Sequence, residues 1–252
     1  RSTLFPYTTL FRSNQRCMMG NRRGFTLIEL MLAIAFISML LLAIAAVGIQ
    51  VGRIYTRGIV LRDVNQAGRE ISDTLRRDFL QANQRKIVTD AVRVPDNNHW
   101  VSGRVCLGSY SYVWNNPKHL DNPGMLGDSS LFRVDGRSVT MVRVVDPDGG
   151  LCKRSASGTY SNSETSAKVT HLLKPIQDGD GAIGIHGLSV KKVAPSSAVD
   201  NSEEALYRLV MTIGTSKMSE LNHAGCRPPA DGESNAEFCA INNFEMIVRT
   251  NG

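Results

Sequence analysis

Between Phe25 and Ile49 the chain runs through apolar residues almost without interruption, and the single charge in that run is Glu29. Leu, Ile, Ala and Met dominate it, all of them compatible with helix. About 20 mostly apolar residues suffice to cross a bilayer, so residues 25–49 are expected to form a membrane-spanning helix. The period then changes. Leu61, Val64, Gly68, Ile71, Leu75, Phe79 and Ala82 recur every three or four residues between about Arg53 and Ile87. That spacing is one apolar stripe of an amphipathic helix. Arg62, Asp63, Arg69, Glu70, Asp73, Arg76 and Arg77 occupy much of the remaining surface. One continuous helix is therefore predicted, bare over residues 25–49 and packed under a sheet over residues 50–90.

Beyond Pro95 the pattern reads as β. Trp100 to Trp114 is rich in Val, Tyr and Ser. Leu131–Val134 and Ser138–Val145 flank Asp135-Gly136, a dipeptide suited to a tight hairpin. Ser155 to Ser166 is polar and Ser-rich, and is expected to be a loop. Further strands are expected at Val169–Leu173, Ile183–Val193, Leu206–Ile213 and Phe244–Arg249. In the third of these, Tyr207, Leu209, Met211 and Ile213 alternate with Arg208, Val210 and Thr212. A long helix followed by a run of strands, with no internal repeat, argues for an α+β fold rather than a βαβ one.

The apolar run opens with Gly24-Phe25-Thr26-Leu27-Ile28-Glu29-Leu30, directly after Arg22-Arg23. A carboxylate costs roughly 2.5–3.5 kcal/mol at the centre of a bilayer, so Glu29 is a functional candidate by default. Basic residues, a glycine and an apolar stretch holding one Glu resemble the processing and assembly segment of type IV prepilins. The resemblance implies cleavage after Gly24 and N-methylation of Phe25 by a prepilin peptidase. It also implies pairing of Glu29 with the N-terminal amine of a neighbouring subunit. The implied fold is the pilin fold, with its long N-terminal α-helix packed on an antiparallel β-sheet head. The implied partners are other pilin subunits, the peptidase, a pilus assembly platform and the cell membrane. Arg22 and Arg23 keep the leader cytoplasmic and send the head outward, and the subunit would then pass into an extracellular pilus.

Residues Gly68 to Asp78 are similar to the same region of larger minor pilins and of the larger minor pseudopilins of type II secretion. A minor pilin, in the filament or at its tip, is the first expectation; a pseudopilin of a secretion system or of a DNA-uptake pilus is the alternative. Well-studied pilins often carry a proline in the helix near residue 50. Residues 18–94 hold none, so any local melting there would have to use Gly48, Gly52 and Gly58. The rival reading of the N-terminus is an ordinary secretory signal peptide, with Ala43-Ile44-Ala45 as its small-residue site and Ala46 as the new terminus. Its apolar core would be only about 7–15 residues and would have no use for Glu29.

Thr3 to Ser13 resembles one reading frame of a sequencing adapter, so residues 1–17 read as a non-native scar or extension and are left out of fold reasoning. Met18 or Met19 is the expected start and residues 18–24 the leader, with residues 25–49, 50–90 and 91–252 forming the two helix halves and the head. The exclusion changes the charge. The chain carries 29 Lys+Arg against 23 Asp+Glu, a net +6. Arg1, Arg12, Arg16, Arg22 and Arg23 all precede Phe25, which leaves 24 against 23, a net +1. The balance therefore argues against nucleic acid as a partner, although Lys191-Lys192 is a local basic pair.

Cys17 lies before the proposed cut, and Cys106, Cys152, Cys226 and Cys239 remain. An even count in an exported chain suggests disulfides, and four cysteines allow three connectivities. The short Cys226–Cys239 loop is favoured, with Cys106–Cys152 by default; thiols left free are the alternative.

No catalytic centre, metal site or cofactor is expected. Asp146-Pro147-Asp148-Gly149 and Asp178-Gly179-Asp180-Gly181 resemble halves of calcium loops but lack the late Glu, and Asp-Gly pairs more often make turns. His99, His119, His171, His186 and His223 stand in no zinc or hydrolase frame and are expected at the surface. The glycine-rich stretch 181–187 follows no phosphate-binding pattern. Trp100, Tyr110, Tyr112 and Trp114 are expected in the head's core rather than on an adhesive surface.

Overall fold

A computed structural model of the chain describes residues 24–94, 102–121, 131–156, 158–174, 182–193, 205–216, 221–222, 225–226 and 239–250. By compactness the chain divides into two units, residues 1–49 and 50–252. The fold is α+β: one long N-terminal helix, then antiparallel sheets against which its second half packs.

Helix α1 spans Leu27–Leu80, 54 residues without a break. Gly48, Gly52 and Gly58 all lie within it and remain helical. Asp78 and Phe79 carbonyls accept from the amides of Gln81 and Ala82, a tightened last turn. The helix thus stops short of the predicted 87–90. Asn83 explains the stop: its Oδ1 accepts from the Arg85 amide at 2.9 Å and caps a separate 3₁₀ turn, Gln84–Lys86. The β-branched run Ile87-Val88-Thr89 then favours strand.

Strand β1 (Val88–Val94) starts a five-stranded antiparallel sheet with β2 (Ser102–Cys106), β3 (Tyr110–Trp114), β6 (Met141–Val145) and β8 (Val169–Leu173), in the order β1-β2-β3-β6-β8. A short helix α2 (Pro117–Asp121) follows β3. Strands β4 (Arg133–Val134) and β5 (Arg137–Ser138) form a hairpin, and β7 (Ser163–Glu164) runs parallel to β4. Strands β9 (Ile183–Val193), β10 (Leu206–Thr215) and β13 (Ile241–Arg249) make a second antiparallel sheet, ordered β13-β10-β9. Strands β11 (Leu221–Asn222) and β12 (Gly225–Cys226) pair with each other.

Two expectations change in detail. The predicted strand Ser138–Val145 breaks at Val139-Thr140, so that Arg137–Ser138 pairs with β4 while Met141–Val145 enters the large sheet. Asn115 enforces the break. Its Nδ2 donates to the carbonyls of Phe132 and Val139, and its Oδ1 accepts from the Phe132 amide, which folds residues 132–139 back over the sheet. The predicted loop Ser155–Ser166 contains β7. The hairpin turn at Asp135-Gly136 is as expected, with positive φ at both residues (47° and 78°).

Two apolar layers result. Val64, Ile71, Leu75 and Phe79 of α1 pack with Tyr112, Trp114 and Met141 of the large sheet and with Ile185, Leu209, Met211 and Ile213 of the second. The opposite face of the large sheet buries Val113, Val142 and Val144 under Phe132, Val134, Val139 and Leu151. Gly68 is required where α1 meets β13: a Cβ there would run into the Phe244 ring. Tyr112 and Trp114 are core, as predicted, and Tyr110 is half-buried. Trp100 lies outside the described residues.

Candidate functional site

The N-terminal segment is built from three local devices. Gly24, Phe25 and Thr26 precede the helix, and among the described residues nothing lies within 4 Å of where a Gly24 Cβ would stand. Phe25 is 88% exposed. The Gly24–Phe25 bond therefore sits in open, non-helical backbone. Thr26 and Glu29 then form a reciprocal cap. The Glu29 Oε2 accepts from the Thr26 amide and from the Thr26 hydroxyl, both at 3.0 Å, and the Glu29 amide donates to Thr26 Oγ1 at 3.3 Å. This is the T-x-x-E capping box, two helix-start donors satisfied by two side chains. A negative group in the first turn also suits the positive end of the helix dipole. The same spacing makes Thr26 legible in the sequence beside Glu29.

From Leu27 to Ile59 the large apolar side chains are exposed, among them Leu30, Ile34, Phe36, Leu42, Val47 and Ile54. The helix is long and apolar enough to cross a membrane, and the apolar segment lies near the N-terminus. Such a segment is compatible with a single-pass membrane anchor. A long apolar N-terminal helix followed by a β-sheet head is compatible with a pilin-like fold. Residues 1–23, which include all of the expected leader but Gly24, with Arg22-Arg23 and Cys17, lie outside the described residues.

The second half of α1 is held by polar groups as well as by its stripe. Asp78, buried in the core, accepts from Tyr112 Oη at 2.6 Å, Arg143 Nε at 2.6 Å and a terminal Arg143 nitrogen at 3.0 Å. The Arg143 guanidinium stacks on Tyr110, 3.4 Å from the ring centroid. Burial, and the hydrogen bond to Asp78, push the Tyr112 hydroxyl well above the ordinary tyrosine range. The same carboxylate holds Arg143 firmly protonated. At the other end of this half, Asn242 Nδ2 donates to Asn65 Oδ1 at 2.6 Å.

Both favoured disulfides are present: Cys106–Cys152 and Cys226–Cys239. The first fastens β2 to the 3₁₀ turn Gly150–Cys152. Beside it Arg104 is buried in β2 and donates to the Leu151 carbonyl (2.6 Å), the Ser161 carbonyl (2.8 Å) and Asn162 Oδ1 (2.6 Å). Its charge faces the rings of Phe132 and Tyr160 as well. Desolvation pulls its pKa down to about 10, which leaves it a cation. This buried arginine in the middle of a strand was not legible from spacing.

The histidines divide. His171 is exposed, as expected. His119 and His186 are instead buried. Ser102 Oγ lies 3.3 Å from His119 Nδ1, and His186 Nε2 lies 2.9 Å from the Thr215 carbonyl. Burial lowers the His186 pKa to about 4. Each meets a polar group inside the core, the Ser102 hydroxyl for His119 and the Thr215 carbonyl for His186, which periodicity does not reveal. His99 and His223 lie outside the described residues.

Asp146 is a turn residue: its oxygens accept from Ser111 Oγ (2.7 Å) and from the amides of Gly150 (2.8 Å) and Leu151 (3.1 Å). Asp178–Gly181 lies outside the described residues. Among the described residues, no three His, Cys, Asp or Glu gather as a metal site. The glycine-rich stretch joins β9 from Ile183 onward, with Gly184 against Pro117. Compared with family models, with curated proteins and with solved structures, the chain finds no match.

Proposed function

We propose that this chain is a minor pilin-like structural subunit, cut after Gly24, N-methylated at Phe25 and assembled into a type IV filament or at its tip. It performs no catalysis; it is a substrate of the prepilin peptidase and then a building block. The observation that carries the reading is Glu29, the one charge between Phe25 and Ile49, set four residues past an exposed Gly24–Phe25 bond. After the cut Phe25 bears an α-amine. Amine and carboxylate are each costly alone in low dielectric, and pairing between adjacent subunits offsets part of that cost. The pair also favours one axial register.

In the single chain Thr26 serves as the partner of Glu29. Assembly on this mechanism exchanges that local cap for an intersubunit pair. The head remains outside the membrane and, being larger than that of a typical major pilin, suits a minor or tip position.

The test is the N-terminal residue of the membrane-extracted protein, made from Met18 with its host peptidase and read by mass spectrometry. The expected terminus is N-methylated Phe25. A terminus at Ala46, with the head free in the medium, would mark an ordinary signal peptide and overturn the proposal.

A further inference from the structure

The exposed apolar side chains of α1 run on past the length a bilayer needs. Leu27 to Ile49 already rises about 33 Å at about 1.5 Å per residue, enough for a hydrocarbon core of about 30 Å. Beyond it Ile54 is 68% and Tyr55 70% exposed, and Ile59 is exposed as well. The head's core takes up the helix only from Val60 onward. The charges of this stretch have one sign. No Asp or Glu occurs between Glu29 and Asp63, whereas Arg53, Arg57 and Arg62 do. Arg57 and Arg62 are exposed and, among the described residues, enter no hydrogen bond or ion pair. Arg53 has a contact of its own and is not required.

Helical rise sets their depth. Leu27 to Arg57 is about 45 Å of helix, which matches a bilayer of about 40–45 Å with its headgroups included. With residues 27–49 in the hydrocarbon, Arg57 therefore stands at the level of the outward phosphates. Helical side chains lean towards the helix N-terminus, and arginine is long enough to snorkel, so Arg62 reaches back to the same layer. Tyr55, an apolar ring with a polar tip, suits that layer too.

We propose that Arg57 and Arg62 bind the phosphates of anionic phospholipids in the outward leaflet and so hold the anchored chain at a fixed depth. The guanidinium fork matches phosphate oxygens, and an anionic membrane surface attracts a basic segment next to a span. A second copy fits less well: copies side by side in one membrane would bring like charges to the same depth. The proposal rests on the single-pass anchor and not on entry into a filament.

The test uses the full chain in phosphatidylcholine vesicles that carry a trace of acyl-chain nitroxide lipid, either phosphatidylglycerol or phosphatidylcholine. Electron spin resonance reads the motionally restricted lipid at the protein surface. The expected result is at least a twofold preference for restricted phosphatidylglycerol, weakened in molar salt. Arg57→Gln/Arg62→Gln should lower that preference at least by half, whereas Arg22→Gln/Arg23→Gln, which alters only the leader, should leave most of it. Protease resistance of the head and intact disulfides check folding; if the pair at 57 and 62 fails the check, Arg57→Gln alone should still lower the preference. Equal restriction of the two lipids overturns the proposal and leaves the anchor standing, whether water or a second copy covers the arginines instead. So does a preference indifferent to the changes at 57 and 62. No restricted component of either lipid overturns the anchor together with the proposal.

Discussion

The two halves of α1 are one helix by backbone and two materials by side chain. Over residues 27–49 every side chain is exposed, including 66% of Ile28 and 71% of Leu42. Over residues 64–79 Val64, Ile71, Leu75 and Phe79 have essentially no exposure. The second half is satisfied within its own chain; the first turns its apolar side chains outward, which is compatible with a membrane anchor. The contrast separates stability from function: substitutions in the second half should report on folding, and those in the first on insertion and assembly.

The sharpest way to break that contrast is Glu29→Ala. We expect normal membrane insertion and an unchanged melting transition of the head, with filament incorporation reduced at least tenfold in a sheared-filament blot. Wild-type incorporation would sink the assembly role. Removing the Asp78 carboxylate tests the other half: Asp78→Ala leaves Arg143 without its counter-ion beneath the sheet. Stranding one partner of a fully buried pair costs about 3–5 kcal/mol; the partly solvated Arg143 trims that cost, while the buried Tyr112 hydroxyl also loses its acceptor, so the head should be markedly destabilised in denaturant titration, with cleavage at Gly24 unaffected.

Reducing the disulfides should act next. Closing loops of these sequence separations, 46 and 13 residues, is worth about 4 and 3 kcal/mol in the chain-entropy account. Cys106→Ser/Cys152→Ser should therefore destabilise the head more than Cys226→Ser/Cys239→Ser in parallel melts. The pH response follows from His186. Its pKa falls from 6.5 to about 4 on burial, so the unfolded chain binds the extra proton between those values and stability rises with pH across that window. The stabilisation is fully present above pH 6.5 and is lost as pH falls towards 4, by up to about 3 kcal/mol. His186→Asn should flatten the slope of unfolding free energy between pH 4.5 and 6.5. The smallest effect is at Gly68. Gly68→Ala gains about 1 kcal/mol of helix propensity but forces the Phe244 ring aside, at about 1–3 kcal/mol. A net loss of about 1 kcal/mol is expected, recovered in Gly68→Ala/Phe244→Leu.

The helix was legible because its two patterns are long. The run to Ile49 and the stripe from Leu61 to Ala82 each repeat over many residues; Ala82, two residues beyond the helix end, is buried as the stripe predicts, whereas Leu61 is 37% exposed, so the packing expected from residue 50 begins only near Val60. The end at Leu80 was not legible, since Asn83 acts through one local hydrogen bond. Strands with one solvated side, such as β10, alternate clearly. Strands β2 and β3 are buried on both faces, so alternation vanishes there and a charged residue, Arg104, sits inside. The break between β5 and β6 depends on Asn115, which lies 24 residues from the Val139 carbonyl it holds; no local pattern carries that. At the N-terminus the sequence marked Glu29, and the structure adds Thr26 as its partner.

Asp78 has a mechanical consequence. It gathers bonds from two strands of the large sheet onto one residue of the helix, near its Leu80 end, while the Asn65–Asn242 bond grips further back. A pull along α1 would load these grips in shear, so several bonds stretch together instead of unzipping one after another. Under tension, the helix should stay seated under the head until the Asp78 cluster gives way as a unit.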